Sequence, residues 1–184
     1  LGVQVQTNVA EWERTFAETG MNFIWTEKFC PPLCRVRPVR VDIGLRTMLN
    51  TVEKLINPVR SSHLIIGVNH RTATQHLIHI VPSSGFETAY IVQGIEGSED
   101  LPLYKSSAIR RVTAFGDDSN ILDPSTFGFG STAFEAIDKS EQLRLLRRVI
   151  SGDDSPEIRR ERDHVIFNAG LRLYWFEKVS SYEE

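Results

Sequence analysis

His63-Leu64-Ile65-Ile66-Gly67-Val68 and Thr88-Ala89-Tyr90-Ile91-Val92, with the segment Ala73 to Val81 between them, decide how this chain folds. Both outer runs are short, continuous and apolar, the pattern of strands covered on both faces. The middle segment reads as a helix that ends near Pro82 and Gly85. Strand, helix and strand within about thirty residues make a βαβ unit, whose strands should be parallel neighbours.

Working outward, Asn8 to Thr19 reads as a helix with Asn8 as N-cap and Gly20 as C-cap. Phe23-Ile24-Trp25 predicts a short buried strand, and Cys30-Pro31-Pro32 predicts a break in regular structure. Ile43, Leu45, Met48, Leu49, Val52 and Leu55 fit one face of a helix over Val41 to Leu55, stopped by Asn57-Pro58. Ile109 to Phe115 predicts a further strand, and Gly116-Asp117-Asp118 and Ser151 to Asp154 predict loops. Two helices follow, Glu141 to Ile150 and Pro156 to Lys178. Leu143, Leu146, Val149 and Ile150 supply the expected core face of the first. The order is α/β throughout.

The chain has 184 residues, 41% hydrophobic and 24% charged, which suits a soluble globular protein and one domain better than two. A net charge of -3 argues against non-specific nucleic-acid binding, although a local basic patch is compatible with it. Cys30 and Cys34 have no second Cys/His pair nearby at zinc-finger spacing, so a zinc site is not indicated. His76 and His79 share a helix face without a third ligand, and His63 and His70 read as structural or solvent-facing. No apolar run reaches membrane-spanning length, and the composition looks intracellular, without distinguishing cytoplasm from plastid. The chain opens at Leu1 with no signal-peptide pattern, and the opening reads as the inside of a domain.

Ligands of open α/β sheets gather beyond the carboxyl ends of the strands. The loop after the second strand, Gln93-Gly94-Ile95-Glu96-Gly97-Ser98-Glu99-Asp100, lies there. Its glycines allow close backbone approach. Its three carboxylates, Glu96, Glu99 and Asp100, are a donor set that Mg2+ favours and bridges to phosphates; a solvated acidic turn is the plainer reading. Arg40, Arg46 and Arg60 surround the middle helix, and a guanidinium can grip a carboxylate or phosphate by two hydrogen bonds. Arg144, Arg147, Arg148, Arg159, Arg160 and Arg162 read most simply as a solvated face paired with nearby carboxylates, and otherwise as a phosphate track.

Several segments together resemble the anthranilate phosphoribosyltransferases, family-3 glycosyltransferases. They are Pro38-Val39-Arg40-Val41-Asp42-Ile43-Gly44-Leu45-Arg46-Thr47-Met48-Leu49-Asn50 with Asn57-Pro58, then Leu64-Ile65-Ile66-Gly67-Val68, Ala89 to Gly94 with Glu99-Asp100, and Asn168-Ala169-Gly170-Leu171-Arg172-Leu173-Tyr174. The resemblance runs with gaps from Leu1 to Glu184. It implies the later part of a nucleoside-phosphorylase-type α/β domain, a mixed sheet flanked by helices, without the family's N-terminal helical domain and glycine-rich phosphate loop. It also implies transfer of a ribosyl phosphate from phosphoribosyl pyrophosphate (PRPP) to an aromatic amine such as anthranilate, with Mg2+, in tryptophan biosynthesis, and a homodimer in the full-length protein.

By the same resemblance, Arg40 matches the arginine that meets the anthranilate carboxylate, and Asn57 and Pro58 shape the acceptor pocket. Glu99 and Asp100 match the metal-holding pair in swapped order. Cys30 stands where the family has a substrate-contacting histidine, and Glu53 and Lys54 replace a Gly-Pro wall of the pocket. Bulk and charge there are unfavourable to an aromatic ring unless the ions pair elsewhere. Val52 to Leu55 and Gln93 to Gly97 look closer to a divergent sister group, some of whose members bind nucleic acid. A non-catalytic nucleic-acid-binding protein is therefore the rival expectation. The transferase reading expects Arg40 and the Glu99-Asp100 pair to share one cleft.

Overall fold

Asn8 starts the first helix as its side chain allows: the Asn8 Oδ1 accepts from the N–H groups of Ala10 and Glu11 at 2.9 and 3.3 Å. That helix, α1 (Val9–Thr19), ends at Gly20, whose φ of 70° is the left-handed turn glycine permits. The structure, a computed structural model, describes residues 5–45, 47–133 and 135–182; Arg46 lies outside them. The chain forms two compact units, Leu1–Arg60 and Ser61–Glu184.

In the first unit, α1 is followed by α2 (Thr26–Phe29), α3 (Pro31–Ile43), α4 (Leu49–Val52) and a 3-10 turn, Glu53–Leu55. Two sequence expectations fail here. Phe23 to Trp25 is not a strand: the unit contributes no strand among the described residues, and the Trp12 indole N–H donates to the Phe23 carbonyl at 2.9 Å instead. Val41 to Leu55 is not one helix. Pro31 and Pro32 open α3, where a missing N–H costs nothing, and Gly44 in the left-handed region (φ 66°) closes it. Its interior Pro38 cannot donate back to the Cys34 carbonyl, so the helix is weakened midway.

The second unit contains the βαβ unit as read. β1 (His63–Gly67) and β2 (Thr88–Val92) pair in parallel, Ile66 opposite Ile91, with α5 (Arg71–Ile80) as the crossover. β3 (Ser107–Thr113) runs antiparallel to β2, and β4 (Gly116–Leu122) antiparallel to β3, giving a mixed sheet ordered β1-β2-β3-β4. The expected loop at Gly116 to Asp118 is thus the start of a strand. The turn is the two residues Ala114 and Phe115, since Thr113 pairs with Gly116.

α6 (Lys139–Ile150) and α7 (Arg159–Trp175) complete the unit. The core is carried by α7: Phe167, Leu171 and Trp175 pack on Tyr90, Val92, Leu101, Leu103, Ile109 and Leu122. Tyr90 and Trp175 stack with ring centres 4.7 Å apart, and the Tyr90 hydroxyl donates to the Trp175 carbonyl at 3.2 Å. The expected core face of α6 is corrected. Leu143, Leu146 and Ile150 are exposed, because α6 rests chiefly on α7 and the turn Pro156–Ile158 rather than on the sheet. No described helix is long and apolar enough to cross a membrane.

Candidate functional site

The acidic loop is built by two glycines and one asparagine. A Cβ on Gly67, the last residue of β1, would stand 2.1 Å from the Ser98 carbonyl carbon, so the loop crosses directly over the strand end. A Cβ on Gly94 would stand 2.4 Å from the carbonyl oxygens of both Ser98 and Asp100. Only glycine allows such backbone approach. The loop then closes on itself: Ile95 N–H donates to the Asp100 carbonyl at 2.9 Å and Ser98 N–H to the Ile95 carbonyl at 2.8 Å. Glu96 adopts a φ of 48°, a left-handed conformation uncommon for glutamate and a sign that the closure dictates the backbone.

α7 clamps the loop from outside. The buried Asn168 side chain accepts from Leu101 N–H at 2.8 Å and donates to the Leu101 carbonyl at 3.0 Å. One turn on, Arg172 donates to Asp100 Oδ1 at 2.7 Å and to the Asn168 carbonyl at 2.9 Å. Burial holds the nearby His164 below its ordinary value, so the imidazole is favoured over the imidazolium. Glu99 is exposed and Asp100 half-buried.

Among the described residues no three His, Cys, Asp or Glu side chains gather into a metal cage. Two adjacent carboxylates beside a substrate phosphate still suit Mg2+, which keeps several waters and needs one or two protein oxygens. Glu99 has an exposed carboxylate to offer, and Asp100 has a second oxygen beyond the one Arg172 holds. The donor set therefore fits the ion as a shared site, not as a protein cage.

The remaining candidates lie in the first unit. Arg40, near the end of α3, is half-buried and forked onto Glu53: Nη1 to Oε2 is 3.0 Å and Nη2 to Oε1 3.5 Å. That hydrogen bond raises the Arg40 pKa further. The two residues lie thirteen positions apart, and the turn Glu53–Leu55 brings them together. Cys30 caps the start of α3 as a free, half-buried thiol. It stands about 15 Å from Arg40 along the helix, at 1.5 Å per residue, so the two do not meet at one point. Lys54 is exposed within the turn, and Asn57 accepts at its carbonyl from Arg60 N–H at 3.3 Å, with Pro58 exposed in the same bend. Arg40 and the acid pair belong to different compact units, and each half-site stands on its own geometry.

A shallow cleft of about 440 Å³ lies beside Arg40. A larger cavity of about 840 Å³ in the second unit is lined by Tyr90, Arg111, Asp118, Tyr174 and Trp175 and includes no residue of the acidic loop. Of the late arginines, Arg144 faces Glu141 at 2.6 Å, Arg148 faces Asp153 at 2.6 Å, Arg159 faces Asp163 at 3.5 Å and Arg160 faces Glu161 at 2.7 Å. The solvated-face reading accounts for these four. Arg148 and Ser155 hold the Asp153 carboxyl well below the usual carboxylate range. With this charge balanced internally, the nucleic-acid alternative is not favoured.

Sequence reasoning missed the roles of Arg172 and Asn168 as the loop's anchors. The signal was present in the segment Asn168 to Tyr174, whose two polar side chains recur one helical turn apart on a face otherwise apolar.

A closed, acid-bearing loop beyond the carboxyl ends of two parallel strands marks an α/β protein, a class whose ligands gather at that edge of the sheet. The chain belongs to the family described as glycosyl transferase family, a/b domain, whose sequence profile matches residues 1–184. It is 28% identical over 188 residues to the anthranilate phosphoribosyltransferase of Herpetosiphon aurantiacus, covering 100% of this chain and 55% of that protein. It is also 28% identical over 187 residues to the one from Delftia acidovorans, covering 100% and 53%. The chain thus spans about half the length of the curated relatives it matches. Its fold is similar to that of the Saccharomyces cerevisiae anthranilate phosphoribosyltransferase in complex with PRPP and Mg, with a TM-score of 0.80 at 17% identity over 99% of this chain and 51% of that one.

Proposed function

We propose that this chain is part of a PRPP-dependent phosphoribosyltransferase, residues 1–184 forming the later portion of one family-3 α/β domain. The reaction moves a ribosyl phosphate from PRPP to an aromatic amine, the broad acceptor class to which the anthranilate named for the relatives belongs. The carrying observation is the loop itself: Glu99 exposed and Asp100 half-buried on a backbone fixed by Gly67, Gly94 and Asn168. Family membership and the relatives' names support the same reading. The full-length protein is proposed to work as a homodimer.

In this mechanism the bond from the ribosyl anomeric carbon to pyrophosphate breaks, pyrophosphate leaving with the bonding pair, while the amine nitrogen bonds to that carbon and gives up a proton to solvent. Glu99 and Asp100 would hold Mg2+, which offsets charge on the departing pyrophosphate. Arg172 fixes Asp100 so that one oxygen stays directed, and the rigid loop avoids reorganisation as charge develops. Asn57 and Pro58 shape the acceptor side, with Lys54 and Cys30 at its border. A weakly basic aromatic amine does not require a general base, and none is assigned.

Isothermal titration of the full gene product with PRPP and Mg2+ tests the assignment. Glu99→Ala with Asp100→Ala should weaken Mg2+-dependent PRPP binding by on the order of a hundredfold. An unchanged affinity would defeat the metal role of the pair.

A further inference from the structure

The cleft beside Arg40 carries its own counter-ions. Arg40 is forked onto Glu53, with the two side chains only 16% and 22% exposed. A second arginine of the cleft, Arg37, is held by Glu27 at 2.5 Å. Two guanidinium groups thus face two carboxylates, and the formal charges of these four groups cancel. Of these four, Glu27, Arg37 and Arg40 line the cleft, while Glu53 reaches Arg40 from outside the lining; Trp25, Val41, Gly44, Leu45 and Asn50 complete it and add no formal charge. Lys28, not a lining residue, sits 5.2 Å from the centre of the Trp25 ring.

The geometry at Arg40 is the one a bound carboxylic acid would adopt, since two oxygens meet two N–H groups of one guanidinium. We propose that Glu53 is a built-in substitute for a ligand carboxylate, a specificity-determining residue that makes the Arg40 cleft accept uncharged aromatic amines and reject carboxylated ones. The proposal rests on the phosphoribosyltransferase reading in one respect only, that this cleft receives the acceptor.

The physical reason is exclusion. An incoming carboxylate gains the Nη1/Nη2 fork of Arg40 only by displacing Glu53, which is left half-buried without its partner. Removing the counter-ion of a buried charge is costly even where the pair itself contributes little. Selectivity of this kind comes from the repulsive element as much as from the attractive one. An uncharged amine leaves the fork intact and meets only the neutralised wall.

The test uses the full gene product and two probes of similar shape, anthranilate and aniline, titrated by NMR with the Trp25 indole N–H as reporter. The wild-type protein should bind aniline more tightly than anthranilate. Glu53→Gln should raise anthranilate affinity by about tenfold or more and leave aniline affinity unchanged. Adding Arg40→Gln should erase that gain. Glu53→Gly, which removes bulk as well as charge, gives the same ordering if the glutamine variant is poorly folded. Anthranilate binding to the wild type as tight as to either Glu53 variant overturns the proposal, as does no gain in either variant or a gain that survives the loss of Arg40. PRPP titrated into the same proteins separates the two readings. Loss of PRPP binding throughout would sink the transferase assignment, while the anthranilate-to-aniline ratio decides the selectivity of the cleft.

Discussion

The two halves of the candidate machinery are held by different forces. In the unit Leu1–Arg60, the buried apolar side chains among the described residues are Trp12 and Leu33, while Phe16, Phe23, Val41, Ile43, Leu45 and Met48 are exposed. Arg40 is fixed there mainly by its fork to Glu53. In the unit Ser61–Glu184, Ile66, Val92, Leu101, Phe167, Leu171 and Trp175 are buried, and the acidic loop is bolted to them through Asn168. A polar group tied to a packed core inherits its rigidity; one tied by an ion pair over a thin core depends on that pair. Loss of the Glu53 carboxylate would therefore loosen Arg40 while the acidic loop of the other unit keeps its anchorage.

Three measurements can break or sharpen this contrast. The largest effect is expected for Trp175→Ala, which empties the stack on Tyr90 and should cost about 3–5 kcal/mol in chemical denaturation. Loss of less than about 1 kcal/mol would mean that α7 is not the keystone of the second unit. Asn168→Ala should cost about 2–3 kcal/mol, because it orphans both the N–H and the carbonyl of Leu101 in a buried setting. Amide exchange at Leu101 and Ile95 should speed up with it, and unchanged exchange would show that the loop does not lean on α7. The smallest effect belongs to the first unit. Asn8→Ala removes the exposed cap of α1 and should cost about 1 kcal/mol, seen as faster exchange confined to residues 9–20.

The same contrast governs what the sequence disclosed. β2 was legible because its apolar run reports burial on both faces, β1 because its run ends buried at Ile66 and Gly67, and α5 because its amphipathic spacing turns Leu77 inward. β4 was not, since Gly116-Asp117-Asp118-Ser119-Asn120 is an exposed edge with no apolar alternation; its backbone pairing with β3 and the ion pair from Arg110 to Asp117 define it. Phe23 to Trp25 misled because a strand needs a neighbour, which no local pattern reveals. α3 was misread because its boundaries are set by Pro31 and by the left-handed Gly44, and its apolar residues do not form a stripe. Resemblance singled out Arg40, Glu53, Glu99 and Asp100 as candidates. The pairings of Arg40 with Glu53 and of Asp100 with Arg172 were not legible, because they cross thirteen and seventy-two positions and follow from the fold.

The closure of the acidic loop also sets a limit on its length. Between Gly94, wedged against its own end, and Asp100, fastened to α7, five residues span a fixed gap with no slack. An inserted residue has nowhere to bulge except outward at Glu96 to Glu99, which would swing one carboxylate away while its neighbour stayed moored. The segment is therefore a calibrated spacer: substitutions on its outer surface are tolerable, but a change in residue count would detune the pair it presents.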